Sequence, residues 1–165
     1  MAALPPEECA ALAERSAAFV NVTGLPRNGS SQSVVLWQDE DCIAWIEVEL
    51  GGRDTGFHDH DGSAVGVYVV RGSVTNEGLP VGAARRVRRY EAGDSFWVPA
   101  AGIHRMYHEA GAVTVHVYSP PLRAIGYYEV IDGLLQRTPG PPDEASPESP
   151  RLLAALTSEA LAGPR

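Results

Sequence analysis

The stretch Gly52-Arg-Asp-Thr-Gly-Phe-His58-Asp-His60 decides the fold, together with its later counterpart Gly93-Asp-Ser-Phe-Trp-Val-Pro99-Ala-Ala-Gly-Ile-His104. In the first, two imidazoles stand at i and i+2, a spacing that puts both on one face of a β-strand. The second supplies His104 from a separate strand punctuated by Gly93 and Pro99. Three histidines converging inside a barrel can hold a divalent metal and leave coordination positions open for other ligands. The expectation is a metalloenzyme.

Working outward, residues 33–131 read as short β-branched and aromatic runs: Ser33–Trp37, Cys42–Leu50, Val65–Arg71, Ser73–Leu79, Arg86–Tyr90, Ser95–Val98, His104–His108, Ala112–Tyr118 and Gly126–Ile131. Gly, Asp or Pro marks most of the joins, a pattern of many short strands that indicates an all-β barrel or sandwich. Before the strands, Pro6 to Val20 is Ala-rich with Leu12, Ala13 and Phe19 near helical spacing, and Pro5-Pro6 ahead of Glu7-Glu8 suits a helix start. Asn21 to Gln32 reads as loop. After the strands, Thr138 to Pro150 is Pro-rich and acidic and reads as a linker, and Arg151 to Ala162 as a short helix. The expected partition is residues 1–32 as N-terminal helix and loop, 33–137 as the barrel, and 138–165 as tail.

Composition narrows the function classes. The net charge is −8 and all 13 basic residues are Arg, so the chain is a poor candidate for nucleic-acid binding. Arg85, Arg86, Arg88 and Arg89 read as the solvated face of a hairpin. The two cysteines, Cys9 and Cys42, suggest a reducing, cytoplasmic setting rather than a disulfide framework. Met1 to Val20 lacks a basic start and carries Glu7, Glu8 and Glu14, so no secretory signal is expected. No apolar run reaches the length of a membrane span. A monomer or weak homodimer is the expected state.

Gly52, His58, His60 and Gly72 resemble the first cupin motif, and Gly93, Pro99 and His104 the second. That motif usually has a Glu soon after the second histidine; Ala64 and Val65 stand there instead, leaving a three-histidine set. Within cupins such a set resembles that of thiol dioxygenases. His58-Asp-His60-Asp-Gly-Ser63, Gly102-Ile-His104-Arg105 and Thr114-Val-His116-Val-Tyr118-Ser-Pro-Pro121 are similar to the corresponding segments of cysteine dioxygenases. The resemblance covers residues 33–131 and implies a double-stranded β-helix jelly roll with a short N-terminal helix and Pro-rich tail. It further implies Fe(II) held by His58, His60 and His104, with a small thiol and O2 as substrates and a sulfinate as product. Ni, Zn or Co are alternatives in the isolated protein. It also implies a relay in which Thr114 orients His116 and His116 orients the Tyr118 hydroxyl toward substrate or oxygen. Asp59, between two ligands, is expected on the opposite strand face.

This chain departs from the resemblance at several positions. Val65 stands where animal cysteine dioxygenases have a cysteine that cross-links to the tyrosine, so no cross-link to Tyr118 is expected, and Val65 becomes a candidate pocket residue. The family's carboxylate-binding Arg falls at Gln32 here; Gln32 or Arg27 could contact the substrate in its place. His108 stands where cupins commonly have Asn, and reads as a residue at the barrel mouth or a base near the metal. Arg105 is expected to face outward or to form an ion pair. Trp45, Trp97, Tyr68 and Phe57 are expected in the core or pocket wall, and Cys42 as a buried small hydrophobe. The substituted Arg leaves two rivals open: a specialised cysteine dioxygenase-like cupin that rearranges cysteine oxidatively to a sulfonamide-like or aldehyde product, and a non-catalytic metal-binding sensor. A cupin isomerase using Zn or Ni is a further one.

Overall fold

The computed structural model describes residues 3–25, 31–80 and 83–139. Arg27, the linker from Gly140 onward and the helix expected at Arg151 to Ala162 lie outside the described residues. Helix α1 (Pro6–Ala17) is followed by a 3-10 turn (Val22–Gly24) and then by strands alone. These are β1 (Gln32–Gln38), β2 (Ile43–Glu49), β3 (Arg53–Asp54), β4 (Phe57–Asp59), β5 (Ala64–Arg71), β6 (Ser73–Leu79), β7 (Arg86–Glu91), β8 (Ser95–Val98), β9 (Ile103–His108), β10 (Ala112–Ser119), β11 (Gly126–Ile131) and β12 (Leu134–Thr138). They form two antiparallel sheets, one ordered β1-β2-β10-β5-β8 and the other β12-β11-β4-β9-β6-β7, with β3 paired to β9. The result is the all-β jelly roll of the cupin fold, with the N-terminal helix in place.

The central strands of the first sheet, β2, β10 and β5, are buried on both faces, which explains their near-continuous apolar runs. On its outer face Ala44, Ile46, Val48, Val113, Val115 and Val117 pack under α1 through Cys9, Ala13 and Ala17. On its inner face Ile43, Val65, Val67, Val69, Phe96, Val98 and Tyr118 meet Val74 and Met106 of the second sheet. Both cysteines are buried; burial pushes the Cys9 thiol up to about 12 and raises that of Cys42. Gly66 lets α1 seat this closely: a Cβ there would lie 2.0 Å from the backbone nitrogen of Ala10. Any larger residue at 66 forces the helix off the sheet.

The helix ends at Ala17, so Phe19 falls beyond it and is 40% exposed rather than part of the helical stripe. Trp97 is 44% exposed, because its partner across the β5–β8 ladder is Gly66 and the pleat turns it to the outer face. The Arg cluster on β7 is exposed as expected: Arg89 pairs with Glu91 and Glu109, Arg85 with Glu77, and Arg88 lies 4.9 Å over the Tyr90 ring. Strand β12 extends the barrel one residue past the expected boundary, to Thr138. Asp132 and Gly133 between β11 and β12 both take positive φ (53° and 79°), the conformation of a two-residue hairpin turn.

Candidate metal centre

His58 and His104 are direct partners across the β4–β9 ladder, and Tyr127 of β11 stands opposite His58 on its other side. Directly paired residues share a face, so the three line up across the inner wall. Along β9 the alternation is complete: His104, Met106 and His108 point inward and are buried, while Tyr107 is half exposed. His60 lies one residue past β4, in a turn closed by a Ser63 N–H bond to the His60 carbonyl (3.1 Å). Asp59 holds that turn in shape. It accepts from the Asp61 backbone N–H (3.0 Å) and from the Tyr128 hydroxyl, so it faces away from the two imidazoles beside it.

The ring nitrogens of His58, His60 and His104 approach within 4.8 Å of one another, and all three residues are buried. The surroundings select the metal-ready tautomer. His58 donates from Nδ1 to the Gly56 carbonyl (3.0 Å), and His104 donates from Nδ1 to the Asn76 side-chain oxygen (2.7 Å). Each therefore presents a bare Nε2. The Nε2 atoms of His60 and His104 are only 3.3 Å apart, and the buried Nδ1 of His60 has no hydrogen-bond partner. Burial drives all three below the ordinary histidine range, His60 to about 3, and repulsion from His58 adds to it at His60 and His104. They are neutral at neutral pH. Three neutral imidazoles whose lone pairs converge fit a borderline divalent ion such as Fe(II), Ni(II), Zn(II) or Co(II).

The facing wall comes from the first sheet. Thr114, His116 and Tyr118 alternate along β10 and are all buried. The Thr114 hydroxyl meets His116 Nε2 at 2.9 Å, and the Tyr118 hydroxyl meets His116 Nδ1 at 3.3 Å. One imidazole thus bridges two hydroxyls, which fixes its plane and, through it, the phenol. The Tyr118 ring sits edge-on to His60, 5.2 Å between centroids. Burial pushes the phenol well above its ordinary value and the His116 imidazole down to about 3.

Between the walls lies a cavity of about 200 Å³. His58, His60, His108, His116 and Tyr118 line it together with Trp45, Met106 and Tyr127. It also contains polar residues that the sequence analysis did not single out: Ser33, Glu47 and Arg53. Glu47 alternates with Ile46 and Val48, which reads equally well as the solvated side of a strand. Arg53 lies in a two-residue strand, and Asn76 in a strand with no motif of its own.

Gln32 does not line the cavity. Across the β1–β2 ladder Gln32 pairs with Val48 and Ser33 with Glu47, so the pleat turns Gln32 to the helix-covered face and Ser33 inward. Val65 does not line it either; it is fully buried beside Tyr118, its partner on β10. His108 is 1% exposed and lies inside the barrel, not at its mouth, because β9 runs regularly from His104. Its Nε2 is 3.8 Å from the Glu47 carboxylate, and Glu47, His108 and His116 form a second cluster with ring nitrogens and a carboxylate oxygen within 4.8 Å. Arg105 faces outward and pairs with Asp54, its Nε donating at 2.8 Å.

No protein-family model matches the chain, and no curated protein matches it. Solved structures do. The BH2720 protein of Bacillus halodurans aligns with a TM-score of 0.52 at 17% identity over 64% of this chain and 82% of its own. KdgF of a Halomonas species aligns at 0.49 and 22% identity over 58% of this chain and 84% of its own. A cupin superfamily protein of Desulfitobacterium hafniense aligns at 0.49 and 14% identity over 58% and 82%. At 17% identity the likeness to the BH2720 protein is one of fold. Among the described residues no helix is long and apolar enough to cross a membrane.

Proposed function

We propose that this chain, a cupin by fold, is a mononuclear non-haem Fe(II) thiol dioxygenase acting on L-cysteine or a related small thiol. The net reaction is RSH + O2 → RSO2H: two S–O bonds form, the O–O bond breaks, sulfur is oxidised and O2 is reduced. The observation that carries the reading is the pairing of two walls. Three converging neutral imidazoles, without a carboxylate among them, face a buried tyrosine held by its own imidazole. Ferrous iron, when bound by His58, His60 and His104, supplies the one-electron chemistry that lets O2 react with a thiolate.

The chain's own residues do the rest. The Gly56 carbonyl and Asn76 keep two of the imidazoles in the tautomer that leaves Nε2 bare. Tyr118 keeps its proton at neutral pH and offers it as a hydrogen bond to an oxygen approaching sulfur. His116, braced by Thr114, sets where that hydroxyl points. Trp45 and Met106 form an apolar wall that excludes water from the reacting sulfur.

The test is O2 consumption by anaerobically Fe(II)-loaded protein with L-cysteine, cysteamine, 3-mercaptopropionate and mercaptosuccinate, with products weighed by mass spectrometry. A product heavier by both oxygen atoms of O2 supports the reading. Uptake with a different mass change points to oxidative rearrangement of cysteine. No uptake in protein that holds one iron per chain overturns the dioxygenase and favours a sensor.

A further inference from the structure

The cavity's charges are unbalanced. Two carboxylates, Glu47 and Glu49, stand on the inner face of β2; Glu47 lines the cavity, and Arg53 is the sole guanidinium among its described lining residues. Arg53 already engages Glu49 at 3.3 Å, a carboxylate only 1% exposed. Glu47 meets only imidazoles among the described residues, His108 at 3.8 Å and His116 at 3.7 Å. Burial lowers both imidazoles below the ordinary range, and they are neutral near pH 7. The cavity's guanidinium, Arg53, stands opposite His108 across the β3–β9 ladder and forms its ion pair with Glu49.

Unmet hydrogen bonds collect at the same place. His108 is buried, and neither of its ring nitrogens has a partner. The indole N–H of Trp45, on the strand that carries Glu47, is also buried without one. A buried carboxylate beside an unsatisfied imidazole costs stability in the folded chain. A ligand that supplies both a positive charge and N–H donors removes that cost.

A second metal ion is the weaker candidate. His116 Nε2 is taken by Thr114 at 2.9 Å, which leaves only Glu47 and one nitrogen of His108 as free ligands. An ammonium group suits the site better. It has three donors and needs only the Glu47 carboxylate and a bare His108 nitrogen, with the Trp45 ring as a further wall for a cation.

We propose that Glu47 and His108 form the receptor for the protonated amine of an aminothiol whose sulfur lies toward His58, His60 and His104. This rests on reading the triad as the place of the thiol. The substrate class is then a thiol carrying an ammonium group, as in cysteamine or L-cysteine, and a mercaptocarboxylate without an amine is refused by the Glu47 charge.

The test is calorimetric binding under nitrogen, where no turnover occurs, with cysteamine, L-cysteine, 1-propanethiol and 3-mercaptopropionate. The unsubstituted protein binds the two amines at least about tenfold more tightly than the two thiols lacking one. Glu47→Gln removes that preference and leaves 1-propanethiol within about twofold, while Glu47→Asp, which keeps the charge, retains the preference. Equal binding of all four ligands by the unsubstituted protein overturns the proposal, a result that needs no variant to fold. So does an unchanged preference in Glu47→Gln, or a second equivalent of bound metal that Glu47→Gln abolishes. Amine-selective binding without O2 uptake would sink the dioxygenase and keep the receptor; uptake with 3-mercaptopropionate as readily as with cysteamine would do the reverse.

Discussion

Two clusters of buried imidazoles border one cavity, through His58 and His60 on one side and His108 and His116 on the other, and their hydrogen bonds tell them apart. In the His58–His60–His104 cluster two of the far nitrogens are anchored, on the Gly56 carbonyl and on Asn76, so lone pairs are driven toward a common point. In the Glu47–His108–His116 cluster the pattern inverts. His116 is occupied at both nitrogens by Thr114 and Tyr118, and His108 is occupied at neither. Side chains of one type, equally buried, are thereby prepared for different tasks. The neighbours of the far nitrogen decide whether an imidazole is a ligand, a strut or a receptor.

The sharpest way to break this contrast is to remove one imidazole from each cluster. His60→Ala is expected to abolish stoichiometric iron binding, measured by metal analysis after anaerobic loading, and with it all thiol-dependent O2 uptake. His108→Ala should keep one iron per chain. Iron loss of the same degree in both variants would mean that the two clusters form one site. Next in size, Tyr118→Phe should lower kcat about 100-fold, the usual scale for losing one oriented donor, with metal content unchanged. A wild-type kcat would make the relay merely structural. Asn76→Ala, which frees the far nitrogen of His104, should weaken metal affinity about 10- to 100-fold in a competition titration against a chelator. Thr114→Val should leave that affinity alone.

A separate expected effect is on pH stability, and it pools the clusters. All five histidines are buried and held below their ordinary range by burial, His60 and His116 to about 3. Near the unfolded value of 6.5 the unfolded chain takes up protons that the native chain refuses. Native stability should therefore be level above about pH 7 and fall as pH drops below 6.5, by up to about 1.4 kcal/mol per pH unit for each histidine involved. Thermal melts of metal-free protein between pH 7.5 and 5 check this. A flat melting temperature across that window would show that the rings protonate without cost.

Much of the barrel was readable from strand periodicity, because each of the nine expected runs carries enough β-branched or aromatic residues to stand out. Strands β3 and β4, of two and three residues, are too short to show a period, though the i, i+2 spacing of His58 and His60 marked the place. Strand β12 was missed although Asp132-Gly133 is a strong hairpin signal, since Leu134 and Leu135 alternate with nothing and are exposed. In the site, the triad and the Thr114–His116–Tyr118 run were legible from motif order. Glu47, Arg53 and Asn76 were not. Each is a single polar residue in a strand, and nothing in the local sequence separates it from a solvated position.

Residue order alone dictates the alternation along each strand, the turns that end them, and hence which residues share a face. Which face lies inside is set by how the elements pack on one another. In β2, Glu47 and Glu49 stand on one side and Ile46 and Val48 on the other, the pattern of a strand with its polar side in water. Here α1 lies over Ile46 and Val48, so the carboxylates turn into the barrel instead. A period of two is blind to that choice, because it is made by a helix packed thirty residues away in the chain, closely enough that only Gly66 fits beneath it.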